Sequence, residues 1–327
     1  MKKLKVAILG AGTMGLYLAW KLSEKGNDVT VFERKKTIGK ECCSGLFSER
    51  ILEFIPQSEA LIKKFFTNCL INFPHKSVNI CFKKKVFLIE HAELDRLLAK
   101  IAEESGVKII LEKEMRELPE GFDRVIGCDG PNSFVRKSLS LPSPKIYLGV
   151  QTFITVSQDV SRETSPSKYK NVSRETLETW PVKSGFIWGF EKENCFEYGI
   201  MAPPSKAVDI LKDFLAKEGL ELTSLKSAPI PQGLILPKNE KITLCGDAAG
   251  MTKPWTGGGV IWGLTAADIL LKKFPDFSAY RSSAIKFFGL QIAISKLAKF
   301  LVYFLGFNMP FLLPKKAKID NDFLSLF

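Results

Sequence analysis

The sequence predicts an α/β fold: a parallel-sheet domain of the dinucleotide-binding type, an inserted antiparallel-sheet α+β domain, and a helical C-terminus. Three observations predict it. Residues 5–34 read as strand, glycine turn, helix and second strand without interruption. Two later stretches, 124–139 and 241–274, each run from a buried apolar strand through an Asp-Gly or Gly-Asp pair into a helix. Between them, alternation of apolar with polar residues replaces helical spacing.

In KVAILGAGTMGLYLAWKLSEKGNDVTVFER, residues 6–9 are a short apolar run of the kind buried in a parallel sheet. Residues 16–22 are apolar at helical spacing, and Gly26 with Asn27 stop the helix. Gly10 allows the tight turn, Gly12 removes a side chain where a pyrophosphate must approach the backbone, and Gly15 lets the helix pack closely on the strand. Thr13 and Met14 complete the turn. The N–H groups at the helix start bind an anion, and Glu33, followed by Arg34 and roughly 20 residues on, is placed to accept from an unphosphorylated ribose. This motif by itself does not separate FAD from NAD.

Next comes GKECCSGLFSERILEFI, read as a turn followed by a helix starting near Ser48. Cys42 and Cys43 are either one packed and one exposed thiol, or a loop against a cofactor with a thiol poised by its surroundings. Residues 68–89 alternate, with turns expected at Pro74 and at the lysines Lys83 to Lys85, and suggest antiparallel strands. An amphipathic helix over 92–105 and a strand over 107–111 return the chain to the first domain. His75 and His91 lack any metal-ligand companion at usable spacing and read as structural or surface residues.

In RVIGCDGPNSFVRKSL, Val125 and Ile126 form a buried strand ending at Asp129 and Gly130. Asp129 either caps the following helix or orients cofactor hydroxyls at the carboxyl edge of the sheet. From 149 to 237 the strand-like stretches are 152–156, 186–190, 196–201 and Ile235, with one clear helix at 207–217. Within SGFIWGFEKENCFEYGI, a turn at 192–194 puts Phe186, Trp188 and Phe190 on one face, which suits a sandwich core and an apolar substrate wall equally.

The stretch KITLCGDAAGMTKPWTGGGVIWGLTAADILLKKF settles the cofactor. Its strand from Ile242 ends at Gly246 and Asp247, a loop with Pro254 follows, and Gly257, Gly258 and Gly259 open a long helix. A second glycine-rich helix start, far from the first, fits one large cofactor held at two ends. Asp247 would bind ribitol hydroxyls of a flavin, and the amides of residues 257–259 would stabilise the negative charge of its reduced form. The expected boundaries are 1–67, 90–148 and 240–280 for the FAD domain, 68–89 and 149–239 for the sheet domain, and 281–327 for the C-terminal segment.

With 327 residues, about two domains are expected. A charged fraction of 25% and a hydrophobic fraction of 46% exclude a disordered or collagen-like chain. The excess of 47 basic over 35 acidic residues gives +12, which admits anionic lipid, nucleic acid or an anionic substrate. The lysines are scattered, without the arginine-rich or aromatic-interleaved pattern of a nucleic-acid binder. Seven cysteines make no zinc pattern, so no metal is expected, and the N-terminus enters a strand at once, which suggests a reducing cytoplasm.

Together, GAGTMG with Glu33, CDGPNSFVR and CGDAAGMTKPWTGGG resemble the aromatic-hydroxylase-type FAD superfamily with its Rossmann-type domain. Within it, CCSGLFS, FIWGF and PWTGGGVIWGL are similar to the geranylgeranyl reductase family. The resemblance covers residues from about 3 to 274. Phe186 stands where that family commonly has Tyr, Glu191 where it has Pro, and Glu90 with His91 where superfamily members often have an Arg. The resemblance implies saturation of isolated double bonds in geranylgeranyl chains of lipids by a cycling FAD, with NAD(P)H or a ferredoxin as electron donor. Trp188, Phe190 and Trp255 are then the candidate substrate wall, and Cys42 or Cys43 the candidate proton source. The alternatives are a flavin monooxygenase of the same superfamily and a flavin-binding protein without turnover.

Residues 283–318, SAIKFFGLQIAISKLAKFLVYFLGFNMPFLLPKKAK, combine Phe287, Phe288, Ile292, Leu297, Phe300, Leu301 and Phe304 with Lys286, Lys296, Lys299, Lys315 and Lys316. Gly306 and Pro310 are expected to interrupt the segment, and its uncharged run is shorter than the ~20 apolar residues that cross a bilayer. A membrane-surface helix is expected, placing the protein in the cytoplasm and peripheral to the membrane. The competing reading is a buried helix pair closing the sheet domain.

Overall fold

The computed structural model describes residues 3–155, 176–192 and 195–324. Lys5–Leu9 is the central strand of a five-stranded sheet ordered Ile242–Leu244, Arg124–Gly127, Lys5–Leu9, Asp28–Phe32 and Lys108–Ile110, with every pairing parallel. Val6, Ala7 and Ile8 are fully buried. Their unbroken apolar run follows from that, because helical crossovers cover parallel sheets. Helix Thr13–Glu24 packs against His91–Glu104 and Val260–Lys273, so three separated segments build one core.

The second sheet has nine strands. Its order is Lys226–Gln232, Lys145–Thr155, Cys195–Ala202, Gly185–Lys192, Thr176–Val182, Lys64–Phe73, Lys76–Leu88 and Lys316–Ile319, with Leu46–Ser48 also paired to Lys76–Leu88. It is mixed rather than antiparallel. Thr176–Val182 runs parallel to Lys64–Phe73, and Lys316–Ile319 parallel to Lys76–Leu88. Ala207–Lys217 packs against this sheet through Ala207, Leu211 and Leu215, all fully buried.

Several expectations are corrected. Residues 46–48 form a strand, and the helix after them is the single turn Ile51–Phe54, ended by Pro56, whose ring disfavours helix in the residue before it. Lys83 to Lys85 lie inside a thirteen-residue strand rather than a turn; Lys83 and Lys85 share an exposed face while Lys84 pairs with Glu53 at 3.5 Å. Ile235 is outside any strand. The edge strand is Lys226–Gln232, whose Pro229 and Pro231 hid it in the sequence and are tolerated because it is outermost. The sheet domain therefore takes Leu46–Ser48, the start of Lys64–Phe73 and the start of Lys145–Thr155, all of which the expected boundaries gave to the FAD domain. Of the expected turn at 192–194, residues 193 and 194 lie outside the described residues, as does Val156.

The C-terminal segment is one helix, Phe277–Asn308, then a strand, Lys316–Ile319, that joins the large sheet. Gly306 does not break the helix; it is a contact point, since a Cβ there would lie 2.1 Å from Phe73 Cε1. Pro310 falls beyond its end. By length and composition this helix could cross a membrane, with 11% of its apolar window buried. It is, however, fastened along the protein: Tyr303 Oη donates to Gly185 O at 2.8 Å and Lys299 Nζ to Pro254 O at 3.3 Å. The buried helix pair is not what forms: a single helix fully buries Tyr280, Ala284 and Phe288 and leaves Leu290 and Phe300 on its other side exposed.

Candidate active site

The first βαβ turn explains its own glycines. Gly10 has φ +103°, and a Cβ on it would lie 2.4 Å from Cys128 O. At Gly12 a Cβ would meet nothing within 4 Å. The protein itself makes no use of that space, which lies at the start of a helix whose first amides lack intrahelical partners. A phosphate fits there. Glu33 is held at the rim: Oε2 accepts from the Ala11 N–H at 2.8 Å and Oε1 from the Lys35 N–H at 2.9 Å.

Asp129 is a helix cap with one oxygen to spare. Oδ2 accepts from the N–H groups of Phe134 (2.6 Å) and Val135 (3.1 Å), capping the short helix Phe134–Ser138, while Oδ1 is buried without a partner. Arg136 ties this turn to the next. Its guanidinium is 3% exposed and donates to Ala248 O at 2.8 Å and to Pro131 O at 2.7 Å. Asp247, at the end of the second loop, lies 3.6 Å from Lys40 Nζ. In the glycine loop, the Gly257 N–H already donates to Lys253 O and the Gly258 N–H to Thr256 Oγ1. The expected three-amide cradle thus narrows to Gly259 and the first turn of Val260–Lys273.

These loops meet. All of the expected cofactor residues except Gly15, Gly246 and Pro254 line one cavity of about 870 Å³, together with Cys42, Cys43, Trp188, Phe190 and Trp255. Gly246 packs against Met14 instead, where a Cβ would lie 2.6 Å from Cγ, and Pro254 is buried in the loop. The cavity continues beneath the large sheet past Phe73, Ile80 and Val86 to Val302 and Tyr303 of the long helix and to Leu313. Phe190 is core as well as wall: it is 3% exposed and packs edge-on against Phe66. Trp188 stands farther out, with Nε1 donating to Glu197 Oε1 at 3.1 Å.

The thiols are not poised as thiolates. Burial pushes Cys42 and Cys43 above the usual thiol value, with Lys40 opposing it in part, so both keep their protons at neutral pH. His91 is neither a surface residue nor a ligand. It is 7% exposed, with Nε2 at 2.9 Å from Thr13 Oγ1, whose hydroxyl donates to Asp95 Oδ1 at 2.6 Å. Among the described residues no cluster of three or more His, Cys, Asp or Glu could hold a metal ion.

Burial, with the charge of Lys40 adding to it, lowers the His91 pKa from 6.5 to about 3. The folded state therefore binds fewer protons than the unfolded chain between these values, and stability present above pH 6.5 is lost as the pH falls toward 3. Asp95, raised by burial to about 6, acts in the opposite sense. Urea unfolding of His91→Gln should show a shallower loss of stability on acidification than the parent protein. Parallel pH dependences would contradict the buried neutral ring.

Sequence reasoning missed Lys40, Asp95, Arg136, Glu197 and Asn321. Arg136 had a signal, its place in CDGPNSFVR; the others are assembled by tertiary structure. Asn321, 8% exposed, reaches the cavity from the C-terminal tail with both polar side-chain atoms unpartnered. That tail is clamped by Arg50 to Asp320 (2.7 Å) and by Lys253 to Asp322 (3.1 Å).

Comparison with known proteins agrees with this geometry. Residues 8–54 match the NAD(P)-binding Rossmann-like domain family. An uncharacterized protein of Methanosarcina barkeri is 27% identical over 95% of this chain and 86% of its own length. A digeranylgeranylglycerophospholipid reductase of Methanosphaera stadtmanae is 23% identical over 84% of this chain and 77% of its own. The crystal structure of a geranylgeranyl bacteriochlorophyll reductase-like protein from Thermoplasma acidophilum superimposes with a TM-score of 0.72 at 19% identity, covering 88% of this chain and 83% of that one. The open space at Gly12, the unpartnered Asp129 oxygen and the orphan Asn321 amide fit one extended dinucleotide. The chain is an FAD-dependent oxidoreductase, related to the geranylgeranyl reductases.

Proposed function

We propose that the enzyme saturates isolated double bonds in prenyl chains of a lipid, drawing each chain from a membrane surface into the cavity. One observation carries this reading: a single cavity is lined by the dinucleotide loops, by apolar side chains of the large sheet, and by Val302 and Tyr303 of a helix with an exposed apolar face. A channel walled by Trp188, Phe190, Phe73 and Tyr303 suits a long hydrocarbon and offers a charged substrate little. The name of the Methanosphaera stadtmanae relative supports a digeranylgeranylglycerophospholipid as the substrate class.

The chain's own residues divide the work. Gly12 and the helix behind it would hold the pyrophosphate, Glu33 the ribose, and Asp129 and Asp247 the hydroxyls between the two ends of the cofactor. Bound FAD, once reduced, supplies the hydride. The protein orients the alkene, excludes water and delivers a proton to the second carbon, for which the protonated thiols of Cys42 and Cys43 on the cavity lining are the candidates.

The long helix supports membrane docking. Leu290, Leu297, Phe300, Leu301 and Phe304 are exposed on it, Phe311 and Leu312 beyond it, and Lys286, Lys296, Lys315 and Lys316 are exposed nearby. Phe288 and Lys299 leave the expected set, since Phe288 is fully buried and Lys299 turns inward to Pro254 O. Each exposed lysine contributes about 1 kcal/mol near anionic lipid.

Optical reoxidation tests the reading. Dithionite-reduced protein without oxygen should recover its oxidised flavin spectrum when given a geranylgeranyl lipid, and stay reduced with the fully saturated lipid. Reoxidation only on admitting oxygen, with oxygen appearing in an aromatic product, would establish a monooxygenase instead.

A further inference from the structure

The strand pairing places Glu197 directly opposite Phe190, on the sheet face that carries Phe186 and Trp188. Glu197 is 0% exposed. Trp188 Nε1 donates to its Oε1, and the indole lies across Gly199, where a Cβ would fall 2.1 Å from the ring. Its other oxygen, Oε2, has no hydrogen-bond partner; Lys192 Nζ stands off at 3.8 Å. Lys192 in turn pairs at 2.8 Å with Glu90 Oε1, whose side chain is 37% exposed. A line of ionisable groups therefore runs from solvent at Glu90, through Lys192, to a carboxyl behind the cavity wall. Trp188, which holds this carboxyl, and Phe190, which pairs opposite it, line the same cavity as Cys42 and Cys43.

We infer that Glu197 is the proton store of the cavity, reprotonating the Cys42–Cys43 thiols after each reduction and refilled from water by way of Glu90 and Lys192. The destination of the proton rests on the alkene-reductase reading; the titration of Glu197 does not. With reduced flavin bound, the cofactor would supply the hydride to one alkene carbon, and a thiol gives its proton to the neighbouring carbon. The S–H bond breaks as the C–H bond forms. The thiolate then takes the carboxylic proton of Glu197, and the carboxylate recovers one from water. Glu197 touches no substrate and is a positioning residue acting through the thiols.

The surroundings set its poise. Burial pushes its pKa up to about 7, with the Trp188 hydrogen bond and Lys192 drawing it down and Glu90 pushing it up. The other ionisable groups around this cluster are Lys40 on the thiol loop, Cys195 beside Lys192, and Lys226 of the edge strand, whose charge opposes the rise at Cys42. A carboxyl so placed is a far better proton donor to a thiolate than bulk water.

Infrared difference spectra of the oxidised flavoprotein test this without turnover. A buried carboxylic C=O band should disappear with a midpoint near pH 7, be missing in Glu197→Gln, and titrate at higher pH in Lys192→Met, which removes the cation that favours the carboxylate. Over successive turnovers the parent rate should fall as the pH rises past 7, whereas Glu197→Gln should be roughly 10- to 100-fold slower with that pH dependence gone and Glu197→Asp partly restored, the first turnover being equally fast in all three. Absence of the band, titration near the ordinary 4.5, or an unchanged pH profile in Glu197→Gln would overturn the inference. Should Glu197→Gln fail to fold, an unshifted midpoint in Lys192→Met does the same. A parent protein that reduces no prenyl lipid would defeat the functional reading, while the infrared band still decides Glu197.

Discussion

Gly12→Glu is expected to fold normally and to purify without flavin. The reason lies in the difference between two glycines of one turn. A side chain at Gly10 collides with Cys128 O and would cost the fold, whereas one at Gly12 enters space that no protein atom occupies within 4 Å. A side chain that displaces no neighbour should change stability by only about 0.5 kcal/mol or less. The carboxylate would stand where the pyrophosphate must lie, adding like-charge repulsion to a steric block. Affinity for FAD should drop by at least about 100-fold, equivalent to roughly 3 kcal/mol. Flavin fluorescence titration of the apoprotein measures the loss, and circular dichroism the retained fold. Full flavin content in the variant would remove the phosphate from the helix start.

Replacing Leu297, Phe300 and Phe304 together by Glu should abolish sedimentation with anionic liposomes while leaving flavin content and melting temperature nearly unchanged. These side chains are 54%, 65% and 46% exposed. Losing their burial in lipid forfeits about 1.5–3 kcal/mol each for a fully immersed side chain, so even half immersion gives a loss of roughly 2–4 kcal/mol. Truncation would not make the same test. It would remove the fully buried Ala284 and Phe288, the strand Lys316–Ile319 and the Asp322 clamp, and unfold the protein whatever the role of the outer face. Liposome binding retained by the triple variant would assign this face to something other than membrane.

The nucleotide half was legible because its signals are local. A glycine turn, its strand and its helix fall within thirty consecutive residues, and helix 207–217 carried its own period. What failed depended on neighbours. Pro229 and Pro231 argue against a strand until the strand is seen at an edge, and three lysines in a row argue for a turn until one of them is seen to meet Glu53. The C-terminal helix misled in a different way, since Gly306 marks a close approach to Phe73 that no sequence window contains. At the site, the strand-end acids announced themselves. Lys40, Asp95, Glu197 and Asn321 did not, because each gains its meaning from partners that the fold brings in from distant stretches of chain.

The most direct measurement is mass analysis of the lipid after anaerobic incubation with the reduced enzyme. A geranylgeranyl lipid should gain hydrogen in pairs, in step with the flavin oxidised, and Gly12→Glu should leave it unchanged. An unaltered lipid beside a fully loaded, reduced flavoprotein would contradict the account.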